Sequence, residues 1–187
     1  MTCKVEKTQS KAMPDLIPPS VVVRVAETTD APTLLRLIAD LQNFERAMHD
    51  TRVVSSPSFA RAYLHQVEQR TSTGAGIIVV AEGRGSADIV GFGAGWIETV
   101  EDVAEIEDSN VFGYISDLYV VPDRRGKRIA GLILTALEEH LSSSGVTRLR
   151  IASLAENAAA LASYRRHGFG PYEVILEKRI GPTERGD

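Results

Sequence analysis

The sequence predicts an α/β fold of the α+β kind, a mixed central sheet with helices on both faces. Strand-like runs of β-branched residues alternate with stretches of helical apolar spacing, in the order βααβββαβαβ. At the centre, Ile115 to Gly131 reads as a strand that feeds a basic, glycine-containing turn and then a helix. The 187 residues fit one domain, and a chain of that size buries roughly 70% of its unfolded surface. The expected organisation is a flexible N-terminal extension over 1–20, one domain over 21–180 and a short tail over 181–187.

Composition narrows the function. A net charge of −4 argues against a general nucleic-acid binder, which carries a basic excess. The single cysteine, Cys3, excludes an internal disulfide and fits a reducing compartment. No apolar run reaches the roughly 18 residues of a membrane span, and the start lacks the apolar core of a signal peptide. The expectation is a cytoplasmic protein with no membrane or nucleic-acid partner.

Taken in order, Val21 to Ala26 reads as the first strand. Thr29 or Asp30 can cap a helix from Ala31, with Pro32 tolerated in its first turn and Leu34, Leu35, Ile38 and Leu41 as its apolar stripe. Ser56-Pro57 opens a second helix with Phe59, Ala60, Tyr63, Leu64 and Val67 on one face. Ile77–Ala81 and Ile89–Ile97 form an antiparallel pair around a glycine-containing turn. Gly91, Gly93 and Gly95 leave one face of the return strand bare, which favours a tightly packed neighbour over a bound molecule. Residues 98–108 hold six acids and no Lys or Arg, either a solvated loop or a collar for a cationic ligand.

The central strand ends at Pro122, which cannot donate to a sheet ladder. Its regular alternation puts Ser116, Leu118 and Val120 on one face and Ile115, Asp117 and Tyr119 on the other. The following helix runs to Leu141 and stops with Gly145 as its C′ residue. Val146–Ser153 is the next strand, 157–167 an alanine-rich helix stopped by Gly168, and Tyr172–Lys178 a last, half-exposed strand.

A basic turn between strand and helix is an anion site, because unpaired N–H groups and the helix dipole converge there. It is not a P-loop: Val121 and Arg128 stand where that motif needs Gly and Ser or Thr. Nor is there a dinucleotide fingerprint, since Trp96 and Glu98 occupy the place of its third glycine. Arg125-Gly126-Lys127-Arg128-Ile129-Ala130 instead resembles the acetyl-coenzyme A loop of the GNAT N-acetyltransferases, Arg/Gln-x-x-Gly-x-Gly/Ala, with Arg128 in place of the first Gly. Downstream, Asn157, Ala160, Tyr164, Gly168 and Phe169 match the family's Asn-x-x-Ala-x-x-x-Tyr-x-x-x-Gly-Phe without a gap.

That resemblance implies a strongly twisted GNAT-like sheet and direct acetyl transfer from coenzyme A to an amine. It implies pyrophosphate binding by Arg125, Gly126, Lys127, Arg128, Ile129 and Ala130, and pantetheine contacts along Leu118, Tyr119 and Val120. Asn157 is implied as a side-chain contact, although Asn also caps helices. Tyr164 is implied as the acid for the leaving thiolate, with a core tyrosine as the plainer reading. Relatives that act on polyamines often carry Glu where Ser116 stands, so the base is left to Glu98 or to a water held by Ser116. Glu45 and His49 are further candidates for the acceptor wall. The histidines 49, 65, 140 and 167 lack ligand spacing, and no metal is expected. The acceptor is expected to be a small amine, a cationic one where the acidic 98–108 stretch serves as its collar. A protein or peptide acceptor and a non-catalytic acyl-coenzyme A-binding module are the alternatives, and a homodimer is common in the family.

Overall fold

The structure, a computed structural model, describes residues 21–180; the expected extension with Cys3 and the expected tail over 181–187 lie outside the described residues. Strands β1 (Val21–Val25), β2 (Ile77–Gly83), β3 (Ile89–Thr99), β4 (Val111–Val120) and β5 (Leu149–Ile151) form one mixed sheet in that spatial order. Pairing is antiparallel from β1 to β4 and parallel between β4 and β5. Helices α1 (Ala31–Arg46) and α2 (Pro57–Thr73) lie between β1 and β2 in sequence; α3 (Ile129–Ser143) joins β4 to β5, and α4 (Ala158–Arg166) follows β5.

Local chemistry accounts for the helix ends. The Ser56 hydroxyl accepts the Phe59 N–H at 3.1 Å and caps α2. At β1, Arg24 forks onto both oxygens of buried Asp30, and the Asp30 carboxylate also accepts the Glu27 N–H. That fork, more than the other partners, holds the Asp30 carboxyl below its ordinary range. Gly145, at φ 87°, stands one residue past the Ser144 cap as expected.

Helices cover both faces of the sheet. On one, α1 and α2 bring Leu34, Leu37, Ile38, Ala60 and Leu64 onto Val80, Phe92 and Tyr119. On the other, Ile133, Leu137 and Leu141 of α3 recur every four residues and join Val79, Ala81 and Ile115. Full burial of each such side chain is worth about 1.5–3 kcal/mol. These three α3 side chains lie over the bare glycines of β3: a Cβ on Gly93 would meet Ile133 Cγ2 at 2.5 Å, and one on Gly95 would meet Leu141 Cδ1 at 3.2 Å. The period-two glycines thus serve helix packing.

Two expectations are overturned. Ala94 pairs with Asp117 and Gly95 with Ile115, so β4 carries an extra residue, Ser116, against β3. That bulge resets the alternation: Ile115 shares the α3 face with Val120 and Leu118, and Tyr114 shares the other face with Tyr119 and Asp117. The last strand is the second correction. Among the described residues 171–180 form no strand, and Val174, Ile175 and Leu176 are 77%, 84% and 89% exposed. Alternation predicts an element that the five-stranded sheet does not include.

Candidate functional site

Beyond the pair Ile115–Ile151, β4 has no further register with β5. The Val121 N–H donates to Val90 O at 2.9 Å, which sets the parity of the strand end. The main-chain groups of Leu118 and Val120 therefore point away from β3, toward the side β5 has vacated. Tyr119 has its backbone turned to β3 and its ring in the α1–α2 cluster.

The turn after β4 is built to expose amides. Gly126 and Arg128 both have positive φ, 75° and 64°, and Arg128 is the residue just before α3. Among the described residues no protein group accepts the N–H of Gly126, Lys127, Arg128, Ile129, Ala130 or Gly131; the first bond of α3 runs from Leu132 N–H to Arg128 O. A left-handed non-glycine residue costs roughly 1–2 kcal/mol. Here that strain accompanies a concave row of donors at a helix N-terminus, the geometry of an anion nest. It also explains why the motif has Gly at position 128.

The Arg125 side chain does not extend toward that row. Its Nε donates to Val120 O at 2.9 Å, and its guanidinium lies 4.6 Å from the Phe44 ring centroid and 5.5 Å from that of Tyr119. It ties the turn to α1 and to the end of β4. Lys127 Nζ donates to Asp123 O.

Asn157 caps α4, its Oδ1 accepting the Ala160 N–H at 3.1 Å. At the other end, Gly168 at φ 96° donates to Arg165 O and Phe169 N–H donates to Tyr164 O, a Schellman motif. Tyr164 and Phe169 supply its hydrophobic contact, with ring centroids 6.2 Å apart. The Tyr-x-x-x-Gly-Phe spacing is therefore a helix stop that fixes the Tyr164 ring. Burial pushes the Tyr164 phenol up to about 12, with help from the negative charges of Glu45 and Asp117. Protein hydrogen bonds to its hydroxyl are absent among the described residues.

Asp117, on the face of Tyr119 as alternation expects, is the buried carboxylate absent from the expected site residues. Only 3% exposed, it accepts the Tyr63 hydroxyl at 2.9 Å and the Ser116 hydroxyl at 2.6 Å. Burial raises its pKa, and the two hydrogen bonds oppose that rise. Burial and the Asp117 charge in turn keep Tyr63 protonated well above the ordinary phenol range. Tyr114 is raised by the same two causes, burial first. The missed signal was local: a hydroxyl beside an acid at a strand position facing glycine-rich β3, where bulges are tolerated.

The other candidates are engaged elsewhere. Glu98 accepts from Trp96 Nε1 and, at 3.3 Å, from Arg70. Glu45 pairs with Arg52 at 2.8 Å, and His49 lies against Thr51. In the acidic stretch, Asp108 binds Thr147 and Arg148, and Glu105 accepts the Tyr172 hydroxyl. Among the described residues no group of three or more His, Cys, Asp or Glu is arranged to hold a metal ion. No helix among them is long and apolar enough to cross a membrane.

A sheet that parts beside a strained donor row, with a phenol and a buried acid on the adjoining elements, makes up the candidate site. The sequence model of the Acetyltransferase (GNAT) family matches residues 40–169, and the chain belongs to that family of acetyltransferases. It is 24% identical over 147 residues to the uncharacterized N-acetyltransferase YhfO of Bacillus subtilis (strain 168), covering 79% of this chain and 88% of that one. The fold is similar to that of the F44R mutant of the BH1408 protein from Bacillus halodurans, with a TM-score of 0.71 at 18% identity over 85% of this chain and 99% of the other. It is also similar to AAC(6')-Iy in complex with the bisubstrate analogue CoA-S-monomethyl-acetylneamine, with a TM-score of 0.67 at 14% identity over 86% and 98% of the two chains.

Proposed function

We propose that this enzyme moves the acetyl group of acetyl-coenzyme A directly to a primary amine of a small molecule. The observation that carries the reading is the row of free N–H groups from Gly126 to Gly131 at the start of α3. It suits the coenzyme's pyrophosphate, because the donors are oriented before binding and the helix dipole adds to them. Leu118 and the Val120 N–H are the main-chain groups for the pantetheine amides.

The amine nitrogen attacks the thioester carbonyl; a C–N bond forms and the C–S bond breaks. The Leu118 N–H is assigned to the charge that develops on the carbonyl oxygen. An alkylamine near pKa 10.4 is neutral only about one time in a thousand at pH 7, so its proton needs an acceptor. We assign that role to Asp117, whose burial moves it toward the pH at which a base is effective. Ser116 and Tyr63 position the carboxylate, so Ser116 acts through Asp117. Tyr164, protonated at neutral pH and with a free hydroxyl, gives its proton to the departing thiolate. A carboxylate base at Asp117 favours a catalyst over the non-catalytic binding module.

The test is thiol release from acetyl-coenzyme A across polyamines, amino acids, aminoglycosides, amino sugars and lysine peptides. Release with a small amine supports the reading, and release only with peptides moves the acceptor to a protein. Coenzyme binding without release by any amine returns the weight to a binding module, and absence of binding sinks the assignment.

A further inference from the structure

The link from α1 to α2 is fastened to the end of α1. Arg46 Nη1 donates to Arg52 O and Gln42 Nε2 to Val53 O, each at 2.8 Å, and the Ser55 hydroxyl donates to Asn43 Oδ1 at 2.7 Å. These bonds fix the backbone that carries Arg52, whose Nε lies 2.8 Å from Glu45 Oε2. The contact is an ion pair without hydrogen-bond alignment: Nε is buried, and no group accepts its proton. Among the described residues no hydrogen bond leaves the other guanidinium nitrogens either, and the side chain is 40% exposed. Ion pairs this open are worth about 0–1 kcal/mol, so the pair is not what holds the link.

The pair stands beside the reacting groups. Phe44, next to Glu45, has the Arg125 guanidinium 4.6 Å from its ring centroid, and Arg125 is tied to Val120 O at the end of β4. Burial is the first cause that raises Tyr63, Tyr164 and Asp117, and the Glu45 charge adds to it in all three. Burial also raises Tyr114, and there the positive charge of Arg52 opposes the rise. Arg46 and Arg125 donate to backbone carbonyls, whereas Arg52 keeps its fork. A planar fork of that kind matches a carboxylate or a phosphate with two parallel bonds. An acid and a guanidinium with free donors, side by side, complement a molecule that carries both an ammonium and an anion.

We propose that the acceptor bears a carboxylate or phosphate close to its amine, with Arg52 taking the anion and Glu45 facing the ammonium. The inference rests on the acetyl-transfer reading above. Matched amines test it: lysine against cadaverine, and O-phosphoethanolamine against ethanolamine. In the thiol-release assay the anion-bearing member of a pair is expected to have a kcat/KM about 10–100-fold higher, the worth of charge-assisted hydrogen bonds. Which pair shows it tells carboxylate from phosphate. Arg52→Gln is expected to bring that pair nearly level, through KM rather than kcat. Arg61→Gln removes an equal charge from the exposed side of α2 and is expected to keep the preference. Release that ignores the anion, a preference that survives Arg52→Gln, or one lost equally in Arg61→Gln overturns the proposal and leaves acetyl transfer standing. Calorimetric titration of the coenzyme A-saturated protein with the same pairs reads the site without turnover. Discrimination there that is lost in Arg52→Gln supports the proposal even where no thiol is released, and equal binding of both members, or binding of neither, overturns it. An unchanged circular dichroism spectrum and melting profile of each variant show that the fold is kept.

Discussion

The two faces of the sheet are built from the same strands and do different work. The α3 face is packed with apolar side chains, Tyr164 apart: Ile133 and Leu137 lie so closely on Gly93 that a single added carbon has no room, and Leu141 lies over Gly95. The α1–α2 face, around the same stretch of β3 and β4, buries a carboxylate with two hydroxyls aimed at it. Burying an acid this deeply costs stability unless hydrogen bonds offset it. One face holds the strands in place, and the other uses that rigidity to keep a charged group where water would otherwise take it.

Asp117→Asn tests the chemical face and carries the largest expected effect, a fall in turnover of about 10²–10⁴-fold. The same variant reports on burial. Because the native carboxyl is raised, the folded protein keeps this proton to higher pH than the unfolded chain does. Wild-type stability should therefore decline as pH rises from about 3.9, the unfolded value, to the native pKa, and be level above it. The variant lacks that component, so denaturant melts should show its stability relative to wild type growing with pH across the window. A relative stability that shrinks there would contradict a buried, raised acid.

Tyr164→Phe removes a hydroxyl with no partner in the described protein and should lower kcat about a hundredfold. The KM for acetyl-coenzyme A and the melting temperature should stay near wild type. An unchanged rate takes Tyr164 out of the mechanism. In the cluster that Tyr164 shares with α3, Gly93→Ala should cost about 2–3 kcal/mol by forcing Ile133 and Leu137 off β3. That cost is read as a lower midpoint in urea. Arg128→Gly is the smallest change: releasing a left-handed side chain should stabilise the protein by about 0.5–1 kcal/mol. Isothermal titration with coenzyme A should show binding retained, because the donors are main-chain groups.

Much of this was legible in the chain. The glycines at 91, 93 and 95 announced a packed neighbour, Ser56-Pro57 announced a helix start, and Gly145 and Gly168 announced helix stops, because each acts through its own backbone. The basic turn after Pro122 was readable for the same reason. Side-chain destinations were not. Arg125 reads as a charge for phosphate and is a tie onto Phe44, and Glu98 reads as a free acid and is bound by Trp96 and Arg70.

What the sequence by itself determined is whatever a short window controls: where elements begin and end, which faces are apolar, and the αL-tolerant turn that opens α3. The family motifs belong to that class, since Tyr164, Gly168 and Phe169 close one local Schellman stop. Tertiary structure alone decided the bulge at Ser116, because an extra residue in one strand exists only relative to its partner strand. That single insertion turned Tyr114 onto the face of Asp117 and Tyr63. Tertiary structure also decided that Tyr172–Lys178, a strand by its alternation, forms none, since alternation sets which faces are apolar and not whether a segment joins a sheet.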